Sequence, residues 1–120
     1  MKLAFSTNAF KQYSLENSIM EIGAIGYEGV EILCDVPHLY PPLFPKQRLS
    51  RLKNFLGKQH LEVSNLNAFT LYAVDDVYHP SWVEMDKHST NIRLMHTIDC
   101  LKAARFLGAK NISTEGGGPQ

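Results

Sequence analysis

Cysteine is nearly absent from this 120-residue sequence: Cys34 and Cys100 are its only two. They form no C-x-x-C pair and stand at no metal-finger spacing from a histidine, which argues against a disulfide framework and a cysteine-built zinc module. Both read as reduced thiols. Net charge is lacking too. Twelve Lys and Arg balance twelve Asp and Glu, so no bulk field recruits nucleic acid or an anionic membrane, and any phosphate recognition has to be local. No segment approaches the ~20 apolar residues of a membrane helix, and the run Met1 to Ser6 is too short for a secretory h-region. The expectation is a soluble, cytoplasmic protein whose partners include neither nucleic acid nor membrane.

What the sequence does contain is one unit, repeated. Gly26-Tyr27-Glu28-Gly29-Val30-Glu31-Ile32-Leu33 reads as a glycine ending a helix, a short turn and a strand. Leu107-Gly108-Ala109-Lys110-Asn111-Ile112-Ser113-Thr114 has the same grammar. A glycine just past a helix supplies the left-handed backbone that other residues adopt only at a cost. Strands and helices alternating through short connections imply a parallel sheet with helical crossovers.

In chain order, Lys2 to Ser6 forms a first strand with Leu3 and Phe5 on one face and Ala4 and Ser6 on the other. Ser14 suits an N-cap, and Leu15, Ile19, Ile22 and Ile25 stripe a helix that stops at Gly26. The second strand, Val30 to Leu33, turns Glu31 and Leu33 away from Val30 and Ile32. A proline-containing loop, Cys34 to Phe44, leads to a helix opened by Pro45 and striped by Leu49, Leu52 and Leu56, with Lys46, Arg48, Arg51 and Lys53 facing outward. The third strand, Leu61 to Asn67, places Val63, Asn65 and Asn67 opposite Ser64 and Leu66. A third helix starts between Asp86 and Thr90, carries a stripe of Leu94, Ile98, Leu101 and Ala104, and stops at Gly108. Asn111 to Thr114 makes the fourth strand.

One face of these strands carries Ser6, Glu31, Asn65 and Asn67, then Ser113 and Glu115. An open sheet covered by helices on both faces has nearly continuous apolar strands, whereas a barrel interior near its functional mouth accommodates polar side chains. The fold class expected is therefore α/β, a parallel (βα)3β half of a TIM barrel forming one partial domain over 1–120. Complete barrels need about 250 residues and eight strands. The half leaves two unpaired strand edges, which calls for a C-terminal half or self-association to cover them.

The segments Gly26 to Glu31, Leu61-Glu62-Val63-Ser64-Asn65-Leu66-Asn67-Ala68-Phe69, and Ala103-Ala104-Arg105-Phe106-Leu107-Gly108-Ala109 leading to Ser113-Thr114-Glu115-Gly116-Gly117 resemble the xylose isomerase-like barrels. That family includes sugar and sugar-phosphate isomerases and epimerases and, more distantly, apurinic endonucleases. The resemblance implies a sugar or sugar-phosphate substrate. It also implies a divalent metal (Mn, Co or Mg) held by carboxylates and a histidine from later strands, with two glutamates there as acid and base. None of those positions lies in this sequence, so this half is expected to bind no metal alone and to be inactive alone. The endonuclease branch carries metal-binding histidines where the third and fourth strands end, and here Asn67-Ala68-Phe69 and Thr114-Glu115-Gly116 stand instead.

Sites of such barrels gather at the C-terminal ends of strands. Asn8, Glu31, Asn67, Glu115 and Gly116 are accordingly the candidate substrate contacts, while Glu31 and Asn67 equally suit a hydrated polar layer and Asn8 a turn. Gly116-Gly117-Gly118 reads as a flexible turn, with a phosphate cradle as the alternative. Tyr72, Tyr78 and Trp82 lie in a long connection and form either a lid over a sugar ring or cover for the rim. The five histidines, His38, His60, His79, His88 and His96, show no ligand spacing, and His38 and His79 read as surface residues. Beside the isomerase reading stand an apurinic endonuclease-like phosphodiesterase and a non-catalytic half-barrel that binds or assembles.

Overall fold

The computed structural model describes residues 1–117. Four strands, β1 (Ala4–Ser6), β2 (Gly29–Leu33), β3 (Glu62–Asn67) and β4 (Ile112–Ser113), alternate with three helices, α1 (Leu15–Ile25), α2 (Lys46–Lys58) and α3 (Lys87–Leu107). All neighbouring strands are parallel and lie in the order β1-β2-β3-β4. An order that never reverses puts every right-handed crossover on the same side of the sheet. The buried core agrees: Leu15, Ile19 and Ile22 of α1, Leu52 and Leu56 of α2, and Cys100, Ala103, Ala104 and Leu107 of α3 meet Val30, Ile32 and Leu66 in one cluster. This is an α/β fold with a four-stranded parallel sheet. No helix of the described residues is long and apolar enough to cross a membrane.

Local chemistry sets the boundaries. Ser14 caps α1 by accepting the Asn17 N–H, and Gly26 ends it at φ 107°. Asp86 caps α3 by accepting the Ser89 N–H, and Gly108 ends it at φ 83°. Pro45 is the N-cap of α2 rather than its first turn, and His60, at φ 56°, supplies the left-handed residue beyond it. β1 is shorter than its apolar pattern implies, although the Leu3 carbonyl still accepts from the Glu28 and Gly29 N–H groups. Gly29 lies so near Ala4 that an added Cβ would come within 3.1 Å of the Ala4 Cβ, which draws β1 and β2 together.

Three further expectations are corrected. Ile25 is 64% exposed, so the α1 stripe ends at Ile22. α3 does not bury the stripe of its large apolar residues: Leu94 and Leu101 are exposed, and Arg93, His96, Thr97, Cys100, Ala103, Ala104 and Leu107 face inward. In β3 the register passes from Val30 opposite Val63 to Glu31 opposite Asn65, leaving Ser64 as the extra residue of a bulge. Strict alternation therefore fails there, and Val63 packs against the same core that buries Leu66.

Candidate functional site

On the face of the sheet opposite the helices, alternation with Val30 and Ile32 turns Glu31 outward. The bulge at Ser64 restores Asn65 and Asn67 to the same side. Asn65 Nδ2 donates to Glu31 Oε2 at 2.6 Å and to Ser113 Oγ at 2.9 Å, tying β2, β3 and β4 together through side chains. Glu31 and Asn65 are half-buried and Ser113 is exposed. Asn67, beside Leu33 in the register, accepts the Phe69 N–H through Oδ1 and turns the chain out of β3.

The other candidates lie on loops at the same end. Asn8 sits in a 3-10 turn (Thr7–Phe10) capped by Ser6, whose Oγ accepts the Asn8 N–H at 3.2 Å. Glu115 and Gly116 are exposed beyond β4. Glu31 and Asn67 thus share a sheet face, while Asn8, Glu115 and Gly116 belong to the exposed rim. Within the glycine run, an added Cβ on Gly117 would come within 2.7 Å of Ser81 Cβ, so that glycine allows the loop after β3 to approach. Gly118 lies outside the described residues.

That loop, residues 68–86, is clamped at several points. Asp35, fully buried just after β2, accepts N–H bonds from Val36, Tyr72 and Ala73 at 2.7 to 3.1 Å. Arg93, 1% exposed, donates from Nε to the Pro80 carbonyl and from Nη1 to the Ala68 carbonyl. Its Nη2 and the Thr70 hydroxyl are buried without a partner among the described residues. Trp82 Nε1 donates to Thr114 Oγ1 at 2.9 Å, pinning the loop to the end of β4. Of the other two aromatics of this loop, Tyr78 stands at a tilt to Phe69, and Tyr72, which is exposed, lies under the Lys11 ammonium.

His38 corrects the surface reading given to it: it is 3% exposed. Its Nε2 lies 3.2 Å from the Tyr13 carbonyl and its Nδ1 3.1 Å from Thr7 Oγ1, which also accepts the Leu33 N–H. The pattern assigns a neutral imidazole that donates from Nε2 and accepts the Thr7 hydroxyl proton at Nδ1. Burial holds the His38 pKa below its ordinary value, against the opposing pull of the Tyr13 carbonyl. His79 is half-buried and pairs with Asp76, which raises its pKa.

Sequence reasoning gave no role to Asp35, Thr7 or Arg93, and only position marks the first. An acid directly after a buried strand either faces water or finds several donors. Hollows of about 430 and 360 Å³ occur elsewhere, the first near Lys2, Lys53 and Lys110 and the second between Pro41, Phe44 and Phe106. Neither touches the polar row. Among the described residues no group of three or more His, Cys, Asp or Glu is placed to hold a metal ion. Glu31 has its carboxylate on Asn65 and Glu115 stands on the rim, so these donors do not compose a metal site. No family model and no curated protein matches the chain. What the face offers chemically is a row of hydrogen-bonding side chains, Glu31, Asn65 and Ser113.

Proposed function

We propose that this chain is the N-terminal half of a metal-dependent sugar or sugar-phosphate isomerase or epimerase of the xylose isomerase-like barrel type, supplying pocket wall and loops but not the chemistry. The observation that carries the reading is the strand order without reversal, with all helices on one side and the Glu31, Asn65 and Ser113 row on the other. A doubly wound sheet needs a reversal to cover both faces. A closed barrel needs none, and its interior takes the uncovered face.

The outer helices support the same reading. Met20 and Ile25 of α1 and Leu94, Met95 and Leu101 of α3 are exposed, while α2, which lies between neighbours, exposes no large apolar side chain. Further βα units on either side would cover them. In the complete barrel, Glu31, Asn67, Glu115, Gly116 and Asn8 contact the sugar's hydroxyl or phosphate groups. The divalent metal and the acid and base belong to the other half, so no proton transfer is assigned to any residue here.

The decisive experiment reads the source gene beyond the codon for Gln120. Further βα units with Glu, Asp and His at strand ends support the proposal; an immediate stop codon rejects it in favour of a half-barrel that assembles with itself. Activity gives a second test. The purified 120-residue chain with Mn²⁺, Co²⁺ or Mg²⁺ is expected to turn over no ketose or ketose phosphate. Turnover abolished by Glu115→Ala would overturn the proposal by placing the chemistry in this half. The phosphodiesterase reading has no comparable support, since Asn67 and Glu115 stand where that branch carries histidines, and tight binding of abasic DNA would be needed to revive it.

A further inference from the structure

Asp35 and His38 belong to one short turn after β2, are 0% and 3% exposed, and reach in different directions. Backbone bonds close the turn, from the His38 N–H to the Asp35 carbonyl at 2.8 Å and from the Leu39 N–H to the Leu33 carbonyl at 3.0 Å. Asp35 holds the loop after β3 through the Tyr72 and Ala73 N–H groups. His38 holds the loop after β1: its ring lies 3.1 Å from Thr7 Oγ1 and 3.2 Å from the Tyr13 carbonyl, with Ser18 Oγ of α1 3.4 Å away. One turn thus anchors two of the loops at the C-terminal ends of the strands.

The His38 anchor is sensitive to a proton. Neutral His38 accepts the Thr7 hydroxyl proton at Nδ1, while Thr7 Oγ1 accepts the Leu33 N–H at 3.0 Å. A proton on Nδ1 turns that nitrogen into a donor. The Thr7 hydroxyl then lacks an acceptor, and Thr7 is 0% exposed, so water supplies none while the loop stays closed. The buried imidazolium is also poorly compensated. No carboxylate among the described residues lies within ion-pair distance of it. Glu16 on α1 and the Phe10 and Tyr13 carbonyls favour the charge, whereas burial and Lys11 oppose it. The Asp35 carboxylate is turned to the loop after β3. Movement of residues 7–13 away from the ring relieves both costs, giving water to the imidazolium and to the hydroxyl.

We propose that the Asp35–His38 turn is an acid-released clamp: with His38 neutral it holds residues 7–13 against the strand ends, and with His38 protonated it lets them go while keeping its hold on Tyr72 and Ala73. The released segment carries Asn8 and walls a hollow of about 380 Å³ with Phe10, Lys11 and Tyr13. Opening therefore removes that wall and withdraws Asn8 from the rim. The device lies wholly within this chain, so it works whether or not a further half completes a barrel.

The test follows amide hydrogen exchange of the folded chain by mass spectrometry from about pH 7.5 to about pH 5, each rate divided by the intrinsic rate at that pH. Residues 7–13 and Leu33 should lose protection several-fold as pH falls, whereas Tyr72, Ala73 and the three helices keep theirs. His38→Gln, whose amide both accepts and donates but does not titrate, should keep residues 7–13 protected throughout. Thr7→Val should leave Leu33 poorly protected at every pH, because its N–H acceptor is gone. Protection at 7–13 unchanged down to pH 5, protection lost equally over the whole chain, or a pH-dependent loss at 7–13 that persists in His38→Gln would each overturn the clamp. Should His38→Gln not fold, the contrast between 7–13 and 72–73 within the unaltered chain decides alone.

Discussion

Asp35 accepts three backbone N–H groups in a place that water does not reach, so its removal strands three donors at once. Asp35→Ala should lower unfolding stability by about 3 kcal/mol, because a buried unsatisfied donor costs about 1–3 kcal/mol and part of the loss relaxes through loop movement. Urea titration measures this, and limited proteolysis should find new cleavage within residues 68–86. Asn at the same position should lose less, as one oxygen still accepts. His38 makes a separate prediction. Its folded pKa lies below the ordinary 6.5 because of burial, so its stabilising contribution is complete above 6.5 and is lost as pH falls through the folded value. The urea midpoint should therefore drop between about pH 7.5 and about pH 5, and drop less in His38→Gln. His79 acts in the opposite sense, since Asp76 raises its pKa. Its contribution is complete below 6.5 and fades as pH rises through the raised value, but solvent reaching the pair, whose Asp76 partner is exposed, screens it and keeps it small.

At the scale of elements, three glycines separate backbone need from convenience. Gly26 and Gly108 adopt φ 107° and 83° at helix ends, so alanine at either should cost about 1 kcal/mol through the left-handed conformation alone. Gly57, inside α2 with nothing within 4 Å of an added Cβ, should instead gain about 0.5–1 kcal/mol as alanine. Thermal melts of the three variants check both signs. These caps were legible in the sequence because a glycine after an apolar stripe is a local signal, as is the serine before Leu15. The inward face of α3 was not. Leu94 and Leu101 draw a convincing stripe, yet the buried side includes Arg93, whose partners Ala68 and Pro80 stand 25 and 13 residues away in the chain. Asp35 was hidden for the same reason, with Tyr72 and Ala73 37 and 38 positions distant. The β3 bulge was hidden differently, since Ser64 resembles any residue of an alternating strand. Of the candidate residues, Glu31 was visible as a charge inside a strand, whereas its bond to Asn65 depends on a register that only the sheet supplies.

For the molecule as a whole, the exposed apolar side chains of α1 and α3 and the open edges of β1 and β4 should make the isolated chain associate. Light scattering is expected to report at least twice the mass of one chain, and Leu94→Lys with Leu101→Lys should reduce it. A well-folded monomer of the unaltered chain would contradict this. The strand order also bears on how the chain acquires its shape. Each strand after the first docks beside the one made immediately before it, and none has to leave a gap for a later arrival. A ribosome releasing this chain from its N-terminus therefore presents each strand after β1 with its neighbour already synthesised, so no pairing has to wait for a later segment.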